Sequence, residues 1–267
     1  MIASLAAGVF LKKMSKHHLH FLPPIIAHRG ASAYAPENTR AAFMKAKELG
    51  FSWIECDLML SATNDVIVMH DDVLERTTNG KGRVIDCSYS TLKTLDAGSW
   101  FHANFTGERI LRFEELLILL SELSCSANLE IKPFPGTEIE TVNRVMAILK
   151  SFQSSRIPSI LVSSFSSIVR QHIRVIDATI PLGFLMDEWE DAWATEAATL
   201  SCASIHVHHS QLTFERIQEI KSAGYILLAY TVNEVSRAKE LLASGVDAVF
   251  SDCPEEIIKE FINANLE

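Results

Sequence analysis

The residues able to do chemistry stand at the ends of short apolar runs. Ile25 to Ala27 leads into His28-Arg29-Gly30, and Trp53-Ile54 leads into Glu55-Cys56-Asp57. Val66 to Met69 leads into His70-Asp71, and Asn128-Leu129 leads into Glu130-Ile131-Lys132. Residues two apart in a strand project from one face, so Glu55 and Asp57 act together, as do Glu130 and Lys132. Cys56, between the two acids, is expected to face away from them. Three converging carboxylates with few neutralising partners repel one another. One hard divalent cation relieves that repulsion, and all-oxygen ligation favours Mg2+ or Ca2+ over Zn2+. His28 and His70 flank the same point and are expected to serve as general acid and base. Arg29 and Lys132 offer fixed positive charge to an anion, the Arg with a fork that takes two oxygens at once. Plainer alternatives are solvated strand-end carboxylates, satisfied structural histidines and a structural ion pair for Lys132.

To place these groups together, the chain needs strands that end at a common edge. The 267 residues are 48% hydrophobic, which suits one large domain. Apolar runs at 25–28, 53–57, 128–132, 160–164, 181–185, 204–208, 225–232 and 248–251 read as strands. Helical spacing follows most of them, at 39–49, 114–123, 138–152, 167–176, 189–200, 214–223 and 234–244, with a last helix after Pro254. Asn38 is the expected N-cap of the first helix. Eight alternating units of this kind imply an α/β fold, a (β/α)8 TIM barrel over 23–267, whose strand ends hold the reactive groups. Branched apolar residues normally fill inward barrel positions, so acids in the second strand argue for a site rather than for solvated charge.

One connection departs from the alternation. Only residues 61–65 separate the second strand from the run 66–70, too few for a crossover helix, so a β-hairpin arm is expected. A turn near Thr63-Asn64 would put His70 almost opposite Asp57. Residues 71–112 then read as a small insertion after the second barrel strand. Residues 1–22 read as a flexible N-terminal extension, because the apolar run there precedes its basic pair, Lys12-Lys13, the reverse of a secretory signal. That run is also too short to span a bilayer. Net charge is −9, from 24 basic and 33 acidic residues, which argues against nucleic acid as a partner. The five cysteines, Cys56, Cys87, Cys125, Cys202 and Cys253, show no C-x-x-C spacing, so a reduced, cytoplasmic protein without disulfides is expected.

Together, His28-Arg29-Gly30, Pro36-Glu37-Asn38-Thr39, Glu55-Cys56-Asp57, His70-Asp71, Arg76-Thr77-Thr78, Leu129-Glu130-Ile131-Lys132 and Tyr230-Thr231-Val232-Asn233 resemble, in order, the motifs of the glycerophosphodiester phosphodiesterase family. The insertion, with Asp96-Ala97-Gly98-Ser99-Trp100-Phe101, resembles the region that shapes the glycerol end of that family's site. The resemblance implies hydrolysis of a small-molecule glycerophosphodiester to sn-glycerol 3-phosphate and an alcohol. It implies Glu55, Asp57 and Glu130 as ligands of one divalent metal ion, and His28 and His70 as the acid–base pair. It also implies Arg29 and Lys132 as phosphate-binding residues, with Trp100, Phe165 and Tyr230 lining the substrate. Two departures stand out: Tyr230 where the family usually has Trp, and Arg112-Phe113 where it has Thr-Leu.

Three other readings compete. His206-x-His208-His209 suggests a zinc amidohydrolase, although it leaves His28-Arg29 without a role. Phe101, Phe105 and Phe165 suggest an apolar channel for a lysophospholipase D-like or sphingomyelinase-like lipid phosphodiesterase. A non-catalytic barrel would be marked by loss of a ligand or of one histidine, and every one of these residues is present.

Overall fold

The computed structural model describes residues 22–152 and 157–257. Its strands are β1 (Ile25–Ala27), β2 (Trp53–Leu60), β3 (Val66–Val68), β4 (Ser126–Ile131) and β5 (Ile160–Ser164). They continue with β6 (Leu182–Met186), β7 (Ser204–His208), β8 (Ile226–Tyr230) and β9 (Ala248–Ser251). The helices are α1 (Arg40–Glu48), α2 (Tyr89–Leu92), α3 (Phe113–Leu123) and α4 (Glu138–Ser151), then α5 (Ser167–Ile176), α6 (Trp193–Thr199), α7 (Phe214–Ser222) and α8 (Val235–Ala243). The sheet runs β1-β9-β8-β7-β6-β5-β4-β2-β3, and a β1–β2 pairing closes it. Eight parallel strands thus form the barrel, with β3 as the one antiparallel member.

Strand periodicity divides the core in two. Ile54, Cys56 and Leu58 of β2 face outward and pack in one cluster with Phe43 and Ala46 of α1 and Phe113 and Leu117 of α3. Cys56 therefore faces away from its acidic neighbours, as its place in the strand requires. A smaller cluster fills the barrel itself: Ile26, Trp53, Leu161, Leu228, Ala248 and Phe250. Above it, inward positions turn polar, with Glu55, Asp57 and Asn128 all buried.

The hairpin arm has two faces with different work. Leu58, Leu60, Val66 and Val68 belong to the main core, while Met59, Ile67 and Met69 join Leu74, Val84, Leu92 and Ile110 of the insertion in a separate cluster. The insertion is thus fastened to the arm by its own small core. Leu58 pairs with Val68 and Leu60 with Val66, so the turn centres at Thr63. Met69, rather than His70, stands level with Asp57, its N–H donating to the Asp57 carbonyl at 3.0 Å. His70 follows one residue on.

Several local boundaries differ from expectation. Thr39 is the N-cap of α1, its Oγ1 accepting from Ala42 N, while Asn38 sits at φ 56° outside the helix. The helix expected from 189 begins at Trp193, because Trp189 packs instead against the Trp193 ring and under the Arg216 guanidinium. β8 ends at Tyr230 rather than at 232. The helix after Pro254 starts at that residue. Residues 1–21 of the expected extension lie outside the described residues. Among the described residues no helix is long and apolar enough to cross a membrane.

Candidate active site

Glu55, Asp57 and Glu130 meet at the top of the barrel. Asp57 is level with Glu130 in the β2–β4 register, which is why two separate strands deliver one cluster. One oxygen from each lies within 4.8 Å of the others, and this is the set of three or more metal-ligating side chains found among the described residues. The electrostatics are those of uncompensated charge. Burial, then the neighbouring Asp57 and Glu130, push the Glu55 carboxyl well above its ordinary value. Burial and Asp57 push Glu130 up to about 8. Asp57 alone goes down: burial opposes ionisation, but Arg29, Lys132 and His70, with a hydrogen bond from Asn38, more than offset it. Glu130 Oε1 and Asn128 Oδ1 are buried without hydrogen-bond partners, an arrangement that costs free energy unless something fills it. Three hard oxygen donors, two protonation-prone carboxyls and an orphaned oxygen fit a divalent cation such as Mg2+ or Ca2+.

Both imidazoles are aimed by carboxylates. His28 Nδ1 lies 2.6 Å from Asp252 Oδ1, and His70 Nδ1 lies 2.6 Å from Asp71 Oδ1. Each ring is thereby turned so that Nε2 is the nitrogen left for other partners; His28 Nε2 is 3.8 Å from Glu55 Oε2. Asp252 is itself held by Asn233 Nδ2 at 2.7 Å and Ser32 Oγ at 3.0 Å; burial opposes its ionisation, but the His28 hydrogen bond and charge, then these two bonds, keep its carboxyl far below the usual range. For His70, burial pushes the pKa down; Asp57 pulls it up, Arg29 and Lys132 push it down again, and the net lies below the ordinary imidazole value.

The turn after β1 sets the cations. Arg29 at φ 54° and Gly30 at φ 83° form a left-handed pair. It directs Arg29 N to Glu55 Oε2 at 3.0 Å, and a Cβ on Gly30 would come within 2.7 Å of the Ala42 backbone. Only glycine meets both demands. The Arg29 guanidinium reaches Glu37 Oε1 at 2.8 Å and lies 3.6 Å from Asp57 Oδ2. Lys132 Nζ is 3.8 Å from Asp57 Oδ1 on the opposite side. Asn38 Nδ2 donates to Asp57 Oδ2 at 2.8 Å.

Around this centre, a cavity of about 30 Å³ is lined by His28, Glu55, Glu130, Leu185, His206 and Tyr230 among others. A wider groove of about 340 Å³ runs past Glu130, Lys132, Pro133 and Phe165. Phe165 meets Tyr230 edge-on at 5.9 Å, and the Tyr230 hydroxyl donates to the Met186 carbonyl at 2.8 Å. The hydroxyl that replaces a Trp edge is therefore tied to backbone. The Trp100 indole donates to the Ala97 carbonyl at 2.8 Å, and its ring stacks edge-on against Phe101. Among the described residues the His-x-His pair belongs to no metal set. His206 is buried and bonded to Ser204 at 2.8 Å, whereas His208 bonds Ser210 and packs on Tyr230 at the rim.

Asp252, Glu37 and Asn38 carry parts of this site that their types alone do not announce. Asp252 stands at a strand end, which is a weak signal; Glu37 and Asn38 lie in a loop where a capping role is the ordinary expectation.

The chain matches the family model described as "Glycerophosphoryl diester phosphodiesterase family" over residues 28–256. It is 32% identical over 243 residues to the glycerophosphodiester phosphodiesterase of Caldanaerobacter subterraneus subsp. tengcongensis, covering 88% of this chain and 96% of that relative. Among solved structures, it is similar to an Oleispira antarctica phosphodiesterase in complex with the product sn-glycerol-3-phosphate, with TM-score 0.88 and 37% identity over 91% of this chain and 98% of the other. A glycerophosphodiester phosphodiesterase from Agrobacterium tumefaciens superposes with TM-score 0.73 at 28% identity, over 88% and 99% of the two chains.

Proposed function

The chain belongs to the glycerophosphoryl diester phosphodiesterase family, and from that premise we propose that it hydrolyses glycerophosphodiesters to sn-glycerol 3-phosphate and an alcohol at the three-carboxylate site. The observation that carries this reading is the convergence of Glu55, Asp57 and Glu130 with two carboxylate-aimed imidazoles and two cations at one barrel mouth.

In this reading Glu55, Asp57 and Glu130 would hold one divalent ion, Mg2+ or Ca2+, which would supply Lewis-acid stabilisation of charge developing on the phosphoryl group. Arg29 and Lys132, on either side of Asp57, bind the remaining phosphate charge and fix the phosphorus between the histidines. One of His28 and His70 takes the proton from the attacking oxygen, either water or the substrate's own glycerol hydroxyl. The other gives a proton to the departing alkoxide. Asp252 and Asp71 keep each imidazole in the orientation those transfers need. Phe165 and Tyr230 wall the substrate. The five cysteines are free, which supports a reducing compartment, the cytoplasm.

Release of sn-glycerol 3-phosphate from glycerophosphocholine and glycerophosphoethanolamine, with and without EDTA, tests this. Turnover should need the divalent ion and fall by roughly 10²–10⁴-fold in His70→Ala. Full activity in EDTA or in the variant would sink the mechanism. Preference for a long-chain lysophospholipid, whose tail the Phe165 groove would have to take, would sink the substrate assignment alone.

A further inference from the structure

On the roles just given to His70 and Arg29, we propose that Arg76 is a positioning residue, which locks the acid–base imidazole and the phosphate-facing guanidinium into one fixed relation. Arg76 lies in the insertion and touches none of the three carboxylates of the metal cluster. Its guanidinium instead presents two edges to two other acids. On one, Nη1 and Nη2 donate to Glu37 Oε2 and Oε1 at 2.6 and 2.7 Å. On the other, Nε and Nη2 donate to Asp71 Oδ2 and Oδ1 at 2.5 and 2.9 Å. Each acid also holds a site side chain. Glu37 Oε1 accepts from Arg29 Nη1 at 2.8 Å, and Asp71 Oδ1 is the 2.6 Å partner of His70 Nδ1.

The chain of contacts therefore runs Arg29–Glu37–Arg76–Asp71–His70 without a gap. It ties the loop before α1 to the end of the hairpin arm and to the insertion. Two bidentate pairs set direction as well as distance, which a lysine's point charge cannot do. Arg76 is also half exposed, its side chain 44% accessible. Its partners Glu37 and Asp71 are only 12% and 20% exposed, so this bidentate network adds to stability as well as to geometry, and the test must separate the two.

The test uses the full chain with its divalent ion. Arg76→Ala should lower kcat for glycerophosphocholine on the order of 100-fold, the scale expected when reacting groups drift by about an ångström. The thermal midpoint should fall by a few degrees at most, too little to account for that loss of kcat. Added guanidinium should restore part of kcat, because truncation opens a notch at the surface. Arg76→Lys, which keeps the charge but not the fork, should stay impaired. Independently of turnover, the His70 ring nitrogens should give one set of 15N–1H correlations in the unaltered protein and several, or broadened ones, in Arg76→Ala. Kcat unchanged in an active Arg76→Ala, or lost together with the thermal midpoint and without guanidinium rescue, would overturn the proposal. Ring signals that respond in a protein without phosphodiesterase activity would support the positioning role and overturn the assigned function. Ring signals that do not respond would overturn the positioning role in either case.

Discussion

Asn38 shows how far a single residue can be misjudged from its neighbours. An asparagine just before an apolar helical stripe is a good N-cap, yet Thr39 takes that place and Asn38 turns its amide to Asp57 at 2.8 Å. The backbone makes this possible, since asparagine tolerates the left-handed conformation at φ 56° better than most residues. Its donor helps keep Asp57 ionised while Glu55 and Glu130 are driven toward protonation. Removing an outer hydrogen bond to a ligand typically weakens metal affinity by about 10–100-fold. Asn38→Ala is therefore expected to weaken divalent-ion binding by that factor in calorimetry, with α1 intact because Thr39 still caps it. Unchanged affinity would mean that Arg29 and Lys132 suffice to hold Asp57.

At the scale of elements, β7 carries the instructive case. His206 and His208 share a face, as alternate strand residues must, but the strand rises through the barrel and leaves them in different media. His208 is at the rim; His206 is inside, 1% exposed, bonded to Ser204 and facing Gly183, where a Cβ would come within 2.6 Å of its Nε2. A side chain at 183 would displace the ring. Burial lowers the His206 pKa to about 3. A histidine whose folded pKa lies below its unfolded value is protonated first in the unfolded chain, so its stabilising contribution is full above pH 6.5 and erodes as the pH falls. Between pH 7 and pH 5 this one group is expected to cost about 2 kcal/mol of unfolding free energy. The unfolding free energy from denaturant titrations should fall from pH 7 to pH 5 by about 2 kcal/mol more in the parent protein than in His206→Gln. Equal falls would place the acid sensitivity elsewhere.

For the whole molecule, the site exists only through closure. His28 and Asp252 are 224 positions apart and meet because β1 pairs with β9; Asp57 meets Glu130 because β2 pairs with β4 across the insertion. Closing the barrel brings three carboxylates into a buried place where they repel, a cost that a divalent ion bound there would offset. Glu130→Gln should therefore raise the thermal midpoint of the metal-free protein by a few degrees, a gain on the order of 1 kcal/mol. The same variant should lose most of the rise that Mg2+ or Ca2+ gives the parent protein, since a ligand that binds only the folded state stabilises it in proportion to its affinity. Calorimetry of both proteins with and without the ion checks this. A metal-free variant less stable than its parent would show that Glu130 is supported by its surroundings.

Periodicity and strand ends were enough to read the barrel, the hairpin arm and the attached insertion, because alternation and loop length are local properties of the chain. The same signals brought forward Glu55, Asp57, Glu130, His28, His70, Arg29 and Lys132, since charge at the end of an apolar run is visible without coordinates. Which group orients which was not visible. The pairing of His28 with Asp252, the grip of Arg76 on Glu37 and the turn of Asn38 toward Asp57 are contacts between distant segments. Their direction is fixed by strand register and by a few left-handed backbone positions. Sequence spacing sets which face a side chain takes within its own element, but only the closed barrel sets what stands opposite.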